Sequence, residues 1–283
     1  MERDKSNQQN MITQQNAGLP QPRVYEPTFN LPALTHPQEA MEVIHENLDG
    51  MGDMKFDKIN MPSGGGIAFT VVDEDGKEEP VKEIKGVLLY KKPFKAWYVK
   101  AFDEKTDEDT GVPDCFSADM IRGSGCKEAD IPEGQICRDC PKNQWGSDRK
   151  GGKGKDCADK IRIYILPEEN VFPKFIDLPP TSIGGFKDYV KRLANKLNPF
   201  YGVVTSMGLE SDKSGGNIKY SKTTFAKAAN LSKEERVSIK GYINTLMPSM
   251  ERISRESIAP DGDAVVQGEA AGVGAAGGGE QPY

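Results

Sequence analysis

The chain reads as mainly β with flanking helices, arranged as an OB-like or Greek-key small barrel, and three observations predict this. Short runs with a period of two recur between Gly- and Pro-rich turns. A cysteine-rich, basic segment interrupts them between two strands. Only three stretches carry the three-and-four spacing of a helix. Strands, an insertion, a helix and more strands fit a small barrel with a loop inserted between two strands. A two-layer α+β sheet is the structural alternative.

Residues 1–35 are polar, rich in Gln and Asn, and carry four prolines, so they read as a disordered arm. Pro37 suits the first position of a short helix with Ala40, Met41, Ile44 and Leu48 on one face. A Gly64-Gly65-Gly66 turn leads into a strand from Ile67 to Val72, and Asp73 to Glu79 is an acidic turn. Ile84 to Tyr90 and Ala96 to Phe102 are expected to pair as a hairpin around Lys91-Lys92-Pro93-Phe94. Ile161, Ile163 and Ile165 alternate with Arg162, Tyr164 and Leu166 in a further strand.

Leu178-Pro179-Pro180-Thr181-Ser182 is expected to cap a helix carrying Ile183, Phe186, Val190, Leu193 and Leu197, stopped by Asn198-Pro199. Val203 to Leu209 and Ile218 to Ser221 then form a strand pair across Gly215-Gly216. Ser232 and Glu235 make a capping box for a last helix, expected to reach about Met247 before Pro248. The resulting division is an arm at 1–35, an OB-like domain at 36–250 with an insertion at 113–160, and a Gly/Ala-rich acidic tail at 251–283.

Within the insertion, Cys137-Arg138-Asp139-Cys140-Pro141 is flanked by single cysteines at Cys115 and Cys157. A two-residue spacer lets both thiolates of a tight turn reach one ion, and four sulfurs suit tetrahedral zinc. Cys115, Cys137, Cys140 and Cys157 are the expected ligands. Cys126 lies in what reads as an exposed turn, with Gly123-Ser124-Gly125 before it and Lys127-Glu128 after it. Unligated thiols, a disulfide, a redox pair and an iron–sulfur cluster are the competing readings. Pro141, Asn143 and Gly146 deny the pair the helix that a redox CxxC expects. A disulfide needs an oxidising compartment, and Met1-Glu2-Arg3-Asp4-Lys5 is no apolar signal, so the expected location is the cytoplasm. No apolar run approaches the roughly 18 residues of a membrane span.

Charge is unevenly spread about a net −6. From Arg138 to Arg162 there are eight Lys/Arg against four Asp, whereas Glu256 to Tyr283 holds five acidic residues and no basic one. Lys91, Lys92, Phe94, Lys95, Trp97, Tyr98 and Lys100 interleave cations and rings, and Trp145, Arg149, Lys150, Lys153 and Lys155 repeat the pattern in the finger. Single-stranded nucleic acid is held by this pairing, because bases stack on rings while Lys and Arg neutralise phosphates. Core aromatics beside a solvated lysine face would give the same string. Catalysis has little to stand on. His36 and His45 are the only histidines, four thiolates would leave a zinc no open position, and the Gly-rich pieces lack phosphate-loop spacing. The acidic tail can compete for a basic groove or dock replication proteins.

Pro113-Asp114-Cys115-Phe116-Ser117-Ala118-Asp119, the string from Cys137 through Cys140-Pro141-Lys142-Asn143 to Trp145-Gly146-Ser147, Gly154-Lys155-Asp156-Cys157 and Leu178 to Ser182 together resemble a family of uncharacterised proteins from phages and conjugative elements of Gram-positive bacteria. The likeness covers about residues 60–225. It implies a role in mobile-element DNA replication or recombination, similar to that of zinc-containing phage single-stranded DNA-binding proteins. It also favours Cys115 over Cys126 as a ligand, and places Met120 where relatives tend to have Gly. The expected function is single-stranded DNA binding without catalysis. The alternative is a zinc-stabilised module that docks onto a replication, transcription or host-defence protein.

Overall fold

The computed structural model describes residues 31–32, 36–48, 55–62, 64–100, 112–213 and 219–256. Almost all of the expected arm, the end of the expected hairpin at Ala101-Phe102, the Gly215-Gly216 turn and the acidic residues beyond Glu256 lie outside them. The elements in chain order are α1 (Pro37–Leu48), β1 (Phe69–Val72), β2 (Glu78–Val81), β3 (Glu83–Trp97), β4 (Cys115–Ser117), β5 (Ala158–Pro167), β6 (Lys174–Leu178), α2 (Pro180–Ala194), β7 (Val203–Lys213), β8 (Lys219–Asn230) and α3 (Lys233–Glu256). The protein is mainly β, with antiparallel sheets and three helices, as an α+β fold has.

Six strands form one antiparallel sheet in the order β6-β5-β3-β7-β8, with β4 on the far end of β3, while β1 and β2 pair separately. Strand periodicity sorts the side chains onto two faces. Val87, Leu89, Tyr164, Leu166 and Val204 face α3, where Ile239, Tyr242, Ile243, Leu246, Met250 and Ile253 complete one core. Ile84, Leu88, Ile163, Ile165, Ile176 and Met207 face α2, which adds Phe186, Tyr189 and Leu193. A bulge at Leu89, between the Leu88–Ile165 and Tyr90–Tyr164 pairs, reverses the alternation. That shift puts Tyr90 on the α3 face.

The expected hairpin is instead a single strand of 15 residues. Lys91, Lys92 and Pro93 do not turn but pair with Ile163, Arg162 and Ile161 of β5. Pro93 is tolerated because β7 accompanies β3 only from Glu83 to Val87 and β4 only from Lys95 to Trp97. Between them β3 has a ladder on one side.

No closed barrel forms among the described residues, because β6 and β8 do not pair. A strap of chain lies between them. Phe175 N–H of β6 donates to Asp57 O (2.9 Å) and Ile59 N–H to Phe175 O (2.7 Å). On the other side Ser221 Oγ of β8 donates to Pro62 O (3.0 Å) and Gly66 O (2.8 Å).

Both long helices depart from expectation at one end. Ser182 does not cap α2. It is buried, and its Oγ accepts the Thr223 N–H of β8 (2.9 Å), while Pro180 takes the first turn. The capping box of α3 is present, with Glu235 N–H donating to Ser232 Oγ (3.1 Å) and Ser232 N–H to Glu235 Oε2 (2.6 Å). Yet α3 passes through Pro248 and ends at Glu256, so residues 251–256 belong to the domain and not to the tail. An interior proline costs about 3 kcal/mol. Burial of Met250 and Ile253, with Tyr164 Oη bonded to Met250 O (2.9 Å) and Ser254 Oγ (2.8 Å), offsets it. No described helix is long and apolar enough to cross a membrane.

Candidate metal centre and nucleic-acid interface

The insertion leaves the sheet at β4, whose Cys115 pairs with Trp97, and returns at β5. Asp119 starts it. One carboxylate oxygen accepts the Ile121 (2.7 Å) and Arg122 (2.9 Å) N–H groups and the Ser117 hydroxyl (2.9 Å). The backbone donors hold this carboxyl below the usual carboxylate range. Met120 follows at φ +68°, in the left-handed region that favours glycine.

The CxxC segment is a tight turn, with Cys140 N–H donating to Cys137 O (3.4 Å) and Asn143 Nδ2 donating to the same carbonyl (2.6 Å). Pro141 opens a short 3-10 turn to Asn143, and Lys142 O accepts the Cys157 N–H (2.8 Å). The local sequence thereby folds the last cysteine back onto the pair.

Cys115, Cys137, Cys140 and Cys157 line one small cavity of about 20 Å³. Space of that size holds a single small particle. Gly123 makes room for Cys115, since a Cβ there would meet the sulfur at 3.1 Å. Lys95 and Lys142 also line the cavity. Each ammonium group is already paired with a carboxylate, Lys95 with Asp159 and Lys142 with Asp156 (3.7 Å). Burial pushes the Cys115 thiol up, and pushes Cys157 up to about 12. Among the described residues no group of three or more His, Cys, Asp or Glu side chains is placed so that it could hold a metal ion. Four cysteine sulfurs around one small cavity are the donor type that zinc takes.

Cys126 is absent from that lining. It is buried rather than exposed, packed on Trp97 and Ile131. The sequence disguised this, because the Cys126 and Ile131 backbones bond each other reciprocally (2.8 and 2.9 Å) and close the turn inward.

Several residues expected to stack on bases or meet phosphates are instead structural. Trp97 is 4% exposed. Its Nε1 donates to Asp156 Oδ2 (2.7 Å), and Lys142 and Arg149 stand over the ring at 5.0 and 5.6 Å. Arg149 also bonds Asp156 (2.7 Å) and the Tyr98 and Val99 carbonyls (both 2.5 Å), pinning the finger to the end of β3. Lys95 is buried, paired with Asp159 and bonded to Asn143 Oδ1 (3.2 Å). Phe94 is buried too. Trp145, by contrast, is 79% exposed, with Lys155 5.3 Å from its ring centre. Lys91, Lys100, Lys150 and Lys153 are exposed, and Lys92 is half-buried.

The structure adds residues that the sequence reading passed over. On the α3 face Arg162 forms a bidentate pair with Asp177 (2.7 and 2.8 Å). Its guanidinium lies 4.2 Å from the Phe175 ring centre and 5.7 Å from that of Phe94. Lys160 Nζ donates to Tyr98 Oη (3.3 Å), and the charges of Lys58 and Lys160 couple to Asp177. Both lysines thus feel the Asp177 charge, with which Arg162 pairs directly. Burial lowers the Lys160 pKa and pushes Tyr98 up to about 12. Period two had already set Lys160 and Arg162 opposite Ile161, Ile163 and Ile165, and that signal was legible.

Comparison of the chain with protein-family models, with curated proteins and with solved structures yields no match.

Proposed function

We propose that this protein binds single-stranded DNA without catalysing a reaction, in phage or mobile-element replication or recombination. The carrying observation is the pair of cations Lys58 and Lys160 beside the buried Arg162–Asp177 ion pair, flanked by Tyr98 and Lys92. The strand order β6-β5-β3-β7-β8, with α2 between β6 and β7, supports an OB-like reading of the sheet. In that reading β3, β5 and β6 are the first three strands, and the cluster sits on the second and third, where OB-folds hold ligands. The four-cysteine finger occupies the loop between the first two strands, also a ligand-contacting loop in such folds. Its zinc would stiffen the loop that presents Trp145. The replication context rests on the family resemblance alone.

Phosphate contacts release counterions, so binding to oligo-dT should weaken steeply with salt. The protein has two tryptophans, one buried and one exposed, which makes fluorescence diagnostic. Oligo-dT should quench the wild type, Trp145→Phe should abolish the quench, and Trp97→Phe should keep it. Absence of binding at about 50 mM salt, where phosphate contacts are strong, would reject the function. The second reading, a finger that docks onto another protein, draws on exposed Ile121 and Trp145, at 59% and 79%. It predicts no oligonucleotide binding.

A further inference from the structure

A second cationic surface lies on the α2 side of the sheet. Between the C-terminal half of α2 and the edge strand β8 runs an open groove of about 500 Å³, lined by Arg192, Lys196 and Lys227 with Asn195, Asn198 and Phe225. All three cations are exposed, and no carboxylate lines the groove. Lys227 Nζ donates to Asn230 Oδ1 (3.1 Å). Among the described residues none of the three pairs with a carboxylate. From Pro180 to Asn198 there are four Lys/Arg and one Asp, and β8 carries three lysines and no acidic residue. This is the reverse of the chain's net charge of −6.

The helix dipole accounts for Arg192 in the last turn of α2. It does not account for Lys196 beyond the helix, nor for Lys227 on a neighbouring strand. Two elements therefore bring like charges into one concave place, where the field concentrates and attracts anions. Asn195 and Asn198 add amides, which commonly contact phosphate oxygens. Phe225 and Leu193 give the groove an apolar wall.

We propose that this groove is a second phosphodiester-binding surface, holding single-stranded nucleic acid on the α2 side of the sheet. The inference rests on the single-stranded DNA reading above. β8 stands three strand spacings from β5, about 14 Å across the sheet. A strand reaching both surfaces must therefore be longer than one that fills the first alone.

The test titrates the full chain and an Arg192→Glu/Lys196→Glu/Lys227→Glu variant with oligo-dT of about 4 and about 16 nucleotides, the two ends of the usual footprint. The variant should bind the long oligonucleotide at least about tenfold more weakly at low salt. Its log–log salt slope should flatten by about 2, for three lost contacts on a single strand. Affinity for the short one should stay unchanged. Equal affinity and slope on the long oligonucleotide would overturn the proposal, as would an equal loss on both lengths, which marks a diffuse field effect. Lys196→Gln and Lys227→Gln, single changes at exposed positions, guard against misfolding of the triple variant. Each should flatten the slope by about 0.7, and an unchanged slope in both would overturn the proposal. A wild type that binds neither length defeats the nucleic-acid reading itself, and this inference with it.

Discussion

Replacing Asp177 by Asn should move stability and nucleic-acid affinity in opposite directions. The Arg162 and Asp177 side chains are 3% and 14% exposed and joined by two hydrogen bonds of 2.7 and 2.8 Å. Removing one partner of a buried pair strands the other charge, at about 3–5 kcal/mol. The amide oxygen can still accept one bond, so the lower end of that range is expected. Lys58 and Lys160 would lose the same carboxylate.

Burial alone would raise the Asp177 carboxyl, but the hydrogen bonds and charge of Arg162, with Lys58 and Lys160, hold it below its ordinary value. A depressed carboxylate adds stability above its unfolded pKa of about 3.9 and loses it as pH falls through the folded value. Urea melts of the wild type should therefore shift downward on acidification from about pH 5. The variant should start lower and lack this part of the acid limb. With the Asp177 charge gone from the cation cluster, oligo-dT should bind the folded variant more tightly. A variant within about 0.5 kcal/mol of wild type, as at an ordinary surface site, with the same acid limb, would refute the buried-pair reasoning.

Two further outcomes concern the finger and the tail. Purified protein should contain about one zinc per chain, as a tetrahedral four-sulfur site requires. Cys126→Ser should keep that metal and Cys140→Ser lose it along with stability; iron with visible absorbance, or no metal and four titratable thiols, would contradict this. In sequence the acidic residues follow Glu256, two positions past Ser254, which bonds Tyr164 on the face bearing Lys160 and Arg162. Truncation after Glu256 should tighten oligo-dT binding, most at low salt where screening is weak, and leave melting unaltered. Unchanged affinity would reject competition by the tail, and a large loss of stability would place the tail within the fold.

Much local chemistry was legible, the inward turn from Cys126 to Ile131 excepted. The capping box at Ser232 and Glu235, the alternation of β5 and the turn at Cys137 to Cys140 each depend on neighbours a few residues apart. What else failed depended on distant partners. Lys91-Lys92-Pro93 has the composition of a turn, and only the offset between β7 and β4 makes it strand. Trp97 looks like a stacking platform until Asp156, Lys142 and Arg149 close over it. Arg162 finds Asp177 through the β5–β6 register, which the two strands do not announce separately. Pro248 misleads for the same reason, since Met250 and Ile253 are recognised as core only once α3 lies on the sheet.

The one-sided stretch of β3 has a further consequence. Between Leu88 and Phe94 its second edge meets no ladder partner among the described residues, so the sheet carries an opening in its middle. Such an edge invites a strand from another molecule. Lysine and proline are the residues that discourage it, by charge and by a missing donor. Lys91, Lys92 and Pro93 sit together at this opening. The same three residues that look like a turn in the sequence thus blunt an edge in the folded chain.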